Sequence, residues 1–163
     1  MPEEMIDIVD DDDKLIGRVL WKEMHDKKLT HRSSNIFVFN SKGELYVHKR
    51  NNKLPLYPGK YDVKFGGILK AGESYEDGAK RELKEEAGID CELEFMFNFK
   101  FRSKENNGNR KVYKCVFDGK MTLDKAEVEA GEFMSIDDAK NMMDSGKLSE
   151  GAASVFREYL KQI

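Results

Sequence analysis

Three glutamates within one helical turn, Glu82, Glu85 and Glu86, have the spacing that points most directly to chemistry. At i, i+3 and i+4 of a helix they share a face, and like charges at i,i+4 repel by roughly 0.3 kcal/mol per pair. A divalent cation among the oxygens turns that repulsion into attraction. Hard oxygen ligands without a thiolate or imidazole suit Mg²⁺ or Mn²⁺. Arg81, next in the chain, has the fork geometry to hold a carboxylate through two hydrogen bonds. Gly66-Gly67 upstream and Gly88 downstream permit tight turns, and the upstream pair lets a main-chain carbonyl approach a metal. The plainer reading is a solvated charge-rich face on which Lys80 and Lys84 offset the acids.

These residues need a helix to present them, and the sequence supplies one over 74–87. Ser74 is a cap, and Ala79, Leu83 and Ala87 form an apolar stripe on a separate face. Strands are expected at 5–9 and 15–20, around the acidic turn Asp10-Asp11-Asp12-Asp13, followed by a short helix at 21–28. That acidic run lacks the alternating carboxylates, mid-loop Gly and final Glu of a calcium loop. Residues 35–39 and 44–48 alternate around Ser41-Lys42-Gly43, which predicts a hairpin. Residues 61–65 form a further strand leading into Gly66-Gly67. Strands at 94–102 and 111–117 flank a polar loop, and helices at 136–143 and 152–160 follow, the second capped by Ser149. Without a regular βαβ alternation, this order predicts an α+β fold with a mixed sheet between helices.

The 163 residues show no repeat and no Pro/Gly/Ser-rich linker, so 1–163 reads as a single domain. Twenty-eight basic against 31 acidic residues give a net charge of −3, which argues against a nucleic-acid polymer as partner. A 39% hydrophobic content supports a core. No apolar run approaches the ~20 residues of a membrane span. The start, Met1-Pro2-Glu3-Glu4, is acidic and unlike a signal peptide. Cys91 and Cys115 form no CxxC pair, so the simplest reading is a reduced, cytoplasmic protein. A homodimer is a common arrangement for small enzymes.

The order of residues from Gly67 to Ile89 resembles the Nudix box, the signature of the Nudix hydrolases. Gly67, Glu73, Arg81, Glu82, Leu83, Glu85, Glu86, Gly88 and Ile89 fill all its fixed positions. From ordinary residue frequencies the chance of such a match is below about one in a million. The resemblance implies an α/β/α sandwich that hydrolyses a small-molecule diphosphate, such as a nucleoside diphosphate derivative, with Mg²⁺ or Mn²⁺. It assigns metal binding or water activation to Glu82, Glu85 and Glu86, and a metal-facing carbonyl to Gly67. Glu73 and Arg81 would organise loop and helix, with Gly88 closing the box. Which glutamate acts as the base stays open. A further carboxylate is expected downstream, at Glu127, Glu129 or Glu132, and Glu129 is taken as the representative.

A diphosphate also needs cations, and Arg50 and Lys64 are the substrate-binding candidates, with Lys49 beside Arg50. Specificity is expected in loops at 51–57, 103–110 and 122–131. Tyr57, Phe99, Phe101 and Tyr113 are rings available for stacking on a base, though rings at strand spacing more often serve the core. From residue 9 to 89 the chain also resembles isopentenyl-diphosphate isomerase and its hydrolase relatives, through Val9-Asp10, Ile16-Gly17, Glu23-Met24-His25, His31-Arg32, 39–45, Pro58-Gly59 and Tyr61. That isomerase protonates an alkene with a Cys in the strand entering the box, and binds metal with a His two residues later. The matching positions here are Gly66 and Ile68, which can do neither. The isomerase's later carboxylates fall near Arg110 and Val112. His25 and His31 are therefore read as structural or surface histidines. The hydrolase reading leads; an isomerase with relocated groups and a non-catalytic sensing module are the alternatives.

Overall fold

The computed structural model describes residues 3–163; Met1 and Pro2, half of the acidic start, lie outside them. Strand β3 (His31–Phe39) organises the sheet. Along one edge it runs parallel to β8 (Asn107–Val116), from His31 opposite Gly108 to Phe39 opposite Val116. Along the other edge it meets β1 (Met5–Val9) at His31, β6 (Phe65–Ile68) through Ser33 to Ile36, and β4 (Leu45–Arg50) at Phe39, all antiparallel. β2 (Leu15–Leu20) extends the sheet beyond β1, and β7 (Glu94–Arg102) beyond β8. β4 also carries β5 (Tyr61–Asp62) and β9 (Val128–Met134). One parallel pairing among antiparallel ones makes this the expected mixed sheet of an α+β fold.

Both faces of β3 are covered, which explains its unbroken apolar run Ile36-Phe37-Val38-Phe39. Alternation sends Ile36 and Val38 to one side and Phe37 and Phe39 to the other. On the first side lies α2 (Tyr75–Ala87), which buries Ala79, Leu83 and Ala87 against Phe65, Tyr113 and Cys115. On the second lie α3 (Ile136–Asp144) and α4 (Glu150–Gln162), the latter packing Val155, Phe156 and Tyr159 on Phe37 and Val112. The short α1 (Trp21–Lys27) forms a small satellite core with Ile6, Ile8 and Met24. Cys91 and Cys115 are free thiols in the cluster under α2. No helix among the described residues is long and apolar enough to cross a membrane.

The caps act as expected. Ser74 Oγ accepts from Asp77 N at 3.1 Å, and Gly88 ends α2 in the left-handed region at φ 66°. Ser149 caps α4, which starts at Glu150 rather than 152. Elsewhere strands extend beyond their apolar cores. β3 begins four residues early, at His31, and β8 begins at Asn107, because their first turns are polar yet buried between neighbours. The expected strand 61–65 breaks into β5 and β6 at Val63-Lys64. The expected loop 122–131 gives way at Val128 to strand β9; Ala130-Gly131 weakens its signal and β4 supplies the ladder.

Candidate functional site

The box strand, loop and helix meet around Arg81. Its guanidinium holds Glu73 through two bonds, Nε to Oε2 at 2.8 Å and Nη2 to Oε1 at 2.9 Å. Nη1 donates to Glu82 Oε1 at 3.0 Å and Glu85 Oε2 at 3.3 Å, and Nη2 reaches the Ile68 carbonyl at 3.4 Å. Glu73 also accepts from Lys70 N at 3.0 Å, which fixes the loop entering α2. The bonds from Arg81 hold the Glu73 carboxyl below the usual range against its partial burial. Glu73 and Arg81 thus tie the loop before α2 to the helix itself.

Glu82 and Glu86 point into the fold where β6 passes α2. Glu86 Oε2 accepts from Gly66 N at 2.9 Å. A Cβ at Gly66, where φ is 136°, would fall on the Ser34 carbonyl oxygen, so only glycine lets the strand run this close. At Gly67 a Cβ would meet Glu82 Oε1 at 2.9 Å, so that backbone lies directly against the carboxylate. Burial pushes the Glu86 carboxyl well above the usual range; the Glu82 charge adds to this and the Gly66 N–H opposes it. Burial also raises Glu82, against the pull of Arg81, with Glu85 and Glu127 adding repulsion. Glu85 is more exposed, with 55% of its side chain accessible.

Glu82, Glu85 and the backbone of Gly66 and Gly67 offer hard oxygen donors to a groove of about 190 Å³, also lined by Trp21, Ile68 and Glu127, while Glu86 lies beside it on Gly66 N. This chemistry fits a hard divalent cation. The ligand geometry is not closed: among the described residues no three His, Cys, Asp or Glu side chains are gathered at metal-binding distance. Arg81 draws Glu82 and Glu85 onto itself instead.

Of the downstream carboxylates, Glu127 rather than Glu129 faces this groove. The segment before it is stitched to the end of α2 by Thr122 N to Ala87 O and Asp124 N to Glu86 O, both 2.9 Å. Asn51 N donates to the Glu127 carbonyl at 3.0 Å. Glu129, expected in the catalytic set, pairs with Lys49 at 3.4 Å on the outer part of β9, and Glu132 lies further along the same exposed strand. Lys64 sits two residues before Gly66, with its ammonium 3.4 Å from buried Asp62 and its carbonyl accepting from His48 Nε2 at 2.8 Å. Burial lowers its pKa against the attraction of Asp62. Arg50 grips the Leu56 carbonyl through Nε and Nη2, at 3.2 and 2.9 Å, and so shapes the 51–60 loop.

The remaining candidates divide. His25 stacks on Trp21 at 4.9 Å and is half-exposed, whereas His31 is buried in the sheet. Phe101 and Tyr113 are buried, and Tyr57 donates to Glu150 at 3.3 Å. Gly66 and Ile68 bring no acid to β6, and both thiols lie beneath α2, so nothing in this strand protonates an alkene. Arg110 lay outside the expected strand 111–117, yet it is buried within β8 and donates Nη1 to Asn35 at 3.2 Å.

The NUDIX domain family model matches residues 29–158. An uncharacterized Nudix hydrolase of Pseudomonas aeruginosa is 36% identical over 132 residues, covering 80% of this chain and 78% of that one. The crystal structure of DR0079 from Deinococcus radiodurans superposes with a TM-score of 0.83 at 24% identity, over 95% of this chain and 98% of that one. A MutT protein from Methanosarcina mazei superposes at 0.70 with 22% identity, over 81% and 94%. Together with the complete box on α2, these matches show that the chain belongs to the Nudix family.

Proposed function

We propose that this protein is a Mg²⁺-dependent hydrolase, with Mn²⁺ as a substitute, that cleaves the diphosphate bond of a small metabolite such as a nucleoside diphosphate derivative. The observation that carries the reading is the half-buried Glu82 carboxylate lying against the Gly67 backbone in the groove, with Glu86 beside it held to Gly66 N. Two mutually repelling carboxylates there are a cost to a purely structural helix and an asset to one that takes up a cation. The cation, when bound, neutralises diphosphate charge and acidifies a coordinated water. Glu82 and Glu86 are its carboxylate ligands, with Gly66 or Gly67 supplying a carbonyl. Arg81 and Glu73 set the strand and helix in register. Glu127, at the groove wall, is the positioned proton acceptor. Lys64, whose ammonium pairs with Asp62 behind β6, adds positive charge near Glu86, and Arg50 acts by shaping the adjoining loop. The resemblance of residues 9–89 to isopentenyl-diphosphate isomerase and its hydrolase relatives supports a hydrolase of that branch.

The test is a panel of nucleoside di- and triphosphates, dinucleotides, nucleotide sugars and prenyl diphosphates assayed with Mg²⁺ or Mn²⁺. Turnover of at least one, lost by about 100-fold or more in Glu86→Gln, is expected. Glu127→Gln is expected to cost at least about tenfold more in kcat than Glu129→Gln. A fully active Glu86→Gln protein overturns the metal assignment, and conversion of isopentenyl diphosphate to its isomer overturns the hydrolase reading.

A further inference from the structure

Two buried polar residues that the proposed hydrolysis does not use, His48 and Asp62, converge on the segment leading into the box. They are 4% and 3% exposed and face each other across the β4–β5 pairing. Between them they hold every polar group of Lys64. Asp62 Oδ1 accepts from Lys64 N at 3.1 Å, and Asp62 Oδ2 lies 3.4 Å from the Lys64 ammonium. His48 Nε2 donates to the Lys64 carbonyl at 2.8 Å. The same ring stacks on the next residue, Phe65, with centroids 4.4 Å and planes 7° apart. The carbonyl only accepts, so the imidazole proton sits on Nε2, and Nδ1 is left without a partner in the interior. A buried acid, a buried ammonium and a half-satisfied imidazole are a costly way to turn a chain at Val63-Lys64, where apolar side chains would serve.

Position is what this arrangement supplies. Gly66 N donates to Glu86 Oε2 at 2.9 Å, and among the described residues that amide is the one hydrogen-bond partner of the Glu86 carboxylate. A single residue, Phe65, separates the amide from the Lys64 carbonyl that His48 holds, and Phe65 is itself 1% exposed under the same ring. Gly66 has no side chain to anchor itself, and a Cβ there would fall on the Ser34 carbonyl oxygen. Its aim is therefore set by β3 on one side and by the hold on Lys64 and Phe65 on the other.

The geometry points to His48 and Asp62 as positioning residues of the site: by holding Lys64 and Phe65 they fix the Gly66 amide, and through it the direction of the Glu86 carboxylate. They act through the strand, not by touching substrate or cation. The effect on metal binding rests on the metal assignment above, since a misdirected Glu86 weakens the site only if Glu86 is a ligand.

Two readouts on the full chain test this. The first is amide hydrogen exchange by NMR in chelator, without metal. In the parent, Gly66 N–H is expected to exchange about as slowly as the core amide of Val38 in β3. His48→Phe keeps a ring on Phe65 and removes the donor to Lys64. It is expected to speed Gly66 relative to Val38 in the same sample by about tenfold, the weight of one hydrogen bond. His48→Gln, whose amide can donate to the same carbonyl, is expected to stay within about threefold of the parent. The second readout is titration with Mn²⁺ alone, followed by electron paramagnetic resonance. His48→Phe is expected to weaken binding by about tenfold, with His48→Gln close to the parent. Val155→Ala, a core truncation under α4, is expected to leave Mn²⁺ affinity unchanged. Fast Gly66 exchange in the parent overturns the proposal without any variant. So does a parent-like His48→Phe, or a Val155→Ala protein that loses as much Mn²⁺ affinity as His48→Phe. Parent-like Mn²⁺ binding in Glu86→Gln overturns the metal assignment instead, and the exchange readout then decides the positioning role alone.

Discussion

At the scale of single residues, burial decides what each ionisable group contributes. Glu86 is a half-buried carboxylate with one N–H donor and a second carboxylate for a neighbour. Its replacement by Gln keeps the shape and removes the repulsion, so metal-free Glu86→Gln is expected to melt no lower than the parent while losing turnover. The two readouts together distinguish a metal ligand from a structural acid. His31 behaves in the opposite sense. Burial lowers its pKa from 6.5 to about 4 in the fold, with Arg110 and Arg102 adding to the fall and the Leu29 carbonyl opposing it. The unfolded chain takes up a proton below about pH 6.5 that the native chain refuses, so the stability His31 supplies is present above that pH and lost as pH falls towards 4. The loss over this window is about 3 kcal/mol at most. Denaturant midpoints at the two ends of the window should show a shallower fall in His31→Gln than in the parent; parallel falls would remove the argument.

Elements carry the glutamates, and their ends were the most legible parts of the sequence. Ser74, Ser149 and Gly88 announced α2 and α4 because caps are local chemistry that needs no tertiary partner. Removing the cap in Ser74→Ala is expected to cost about 1 kcal/mol. Gly88→Ala is expected to cost at least about 1 kcal/mol, since it adds a Cβ in the left-handed region 3.0 Å from Thr122 Cβ. Urea unfolding measures both. The polar first turns of β3 and β8 and the whole of β9 were illegible for the converse reason. Their pairing depends on strands far away in sequence, and their side chains carry no alternating apolar signal. The same blindness touched the site. The box, a contiguous 23-residue motif, pointed to Glu73, Arg81, Glu82 and Glu86, and the fold sets Arg81 on Glu73 and Glu82, and Glu86 on Gly66 N. Glu127 could not be separated from Glu129 because that choice is made by the stitching of 122–127 to the end of α2. The burial of Arg110 was hidden because only the fold brings β8 against β3.

For the whole molecule, the contacts between distant segments hold the groove open. The β1–β2 hairpin lies before the residues matched by the family, yet it fastens the box loop. Asp7 Oδ1 pairs with Arg18, and its Oδ2 accepts from Gly72 N at 2.8 Å, while Ala71 N donates to the Met5 carbonyl at 2.9 Å. Although burial opposes it, these bonds hold Asp7 below the usual carboxylate range. Asp7→Ala leaves the Gly72 amide unpaired, and a stability loss of about 1–3 kcal/mol is expected. The loosened loop should also raise the Mg²⁺ concentration needed for half-maximal activity. Calorimetric unfolding and a metal titration check the two effects, and an unchanged metal requirement would confine the hairpin to a role in stability.

The arginine at the centre of the box has one more consequence. Its guanidinium is anchored to Glu73 by two bonds while a separate nitrogen, Nη1, rests on oxygens of Glu82 and Glu85. A cation held by Glu82 would compete with Nη1 for that carboxylate without disturbing the anchor on Glu73. An Nη1 so released would be free to donate to an anionic oxygen in the groove.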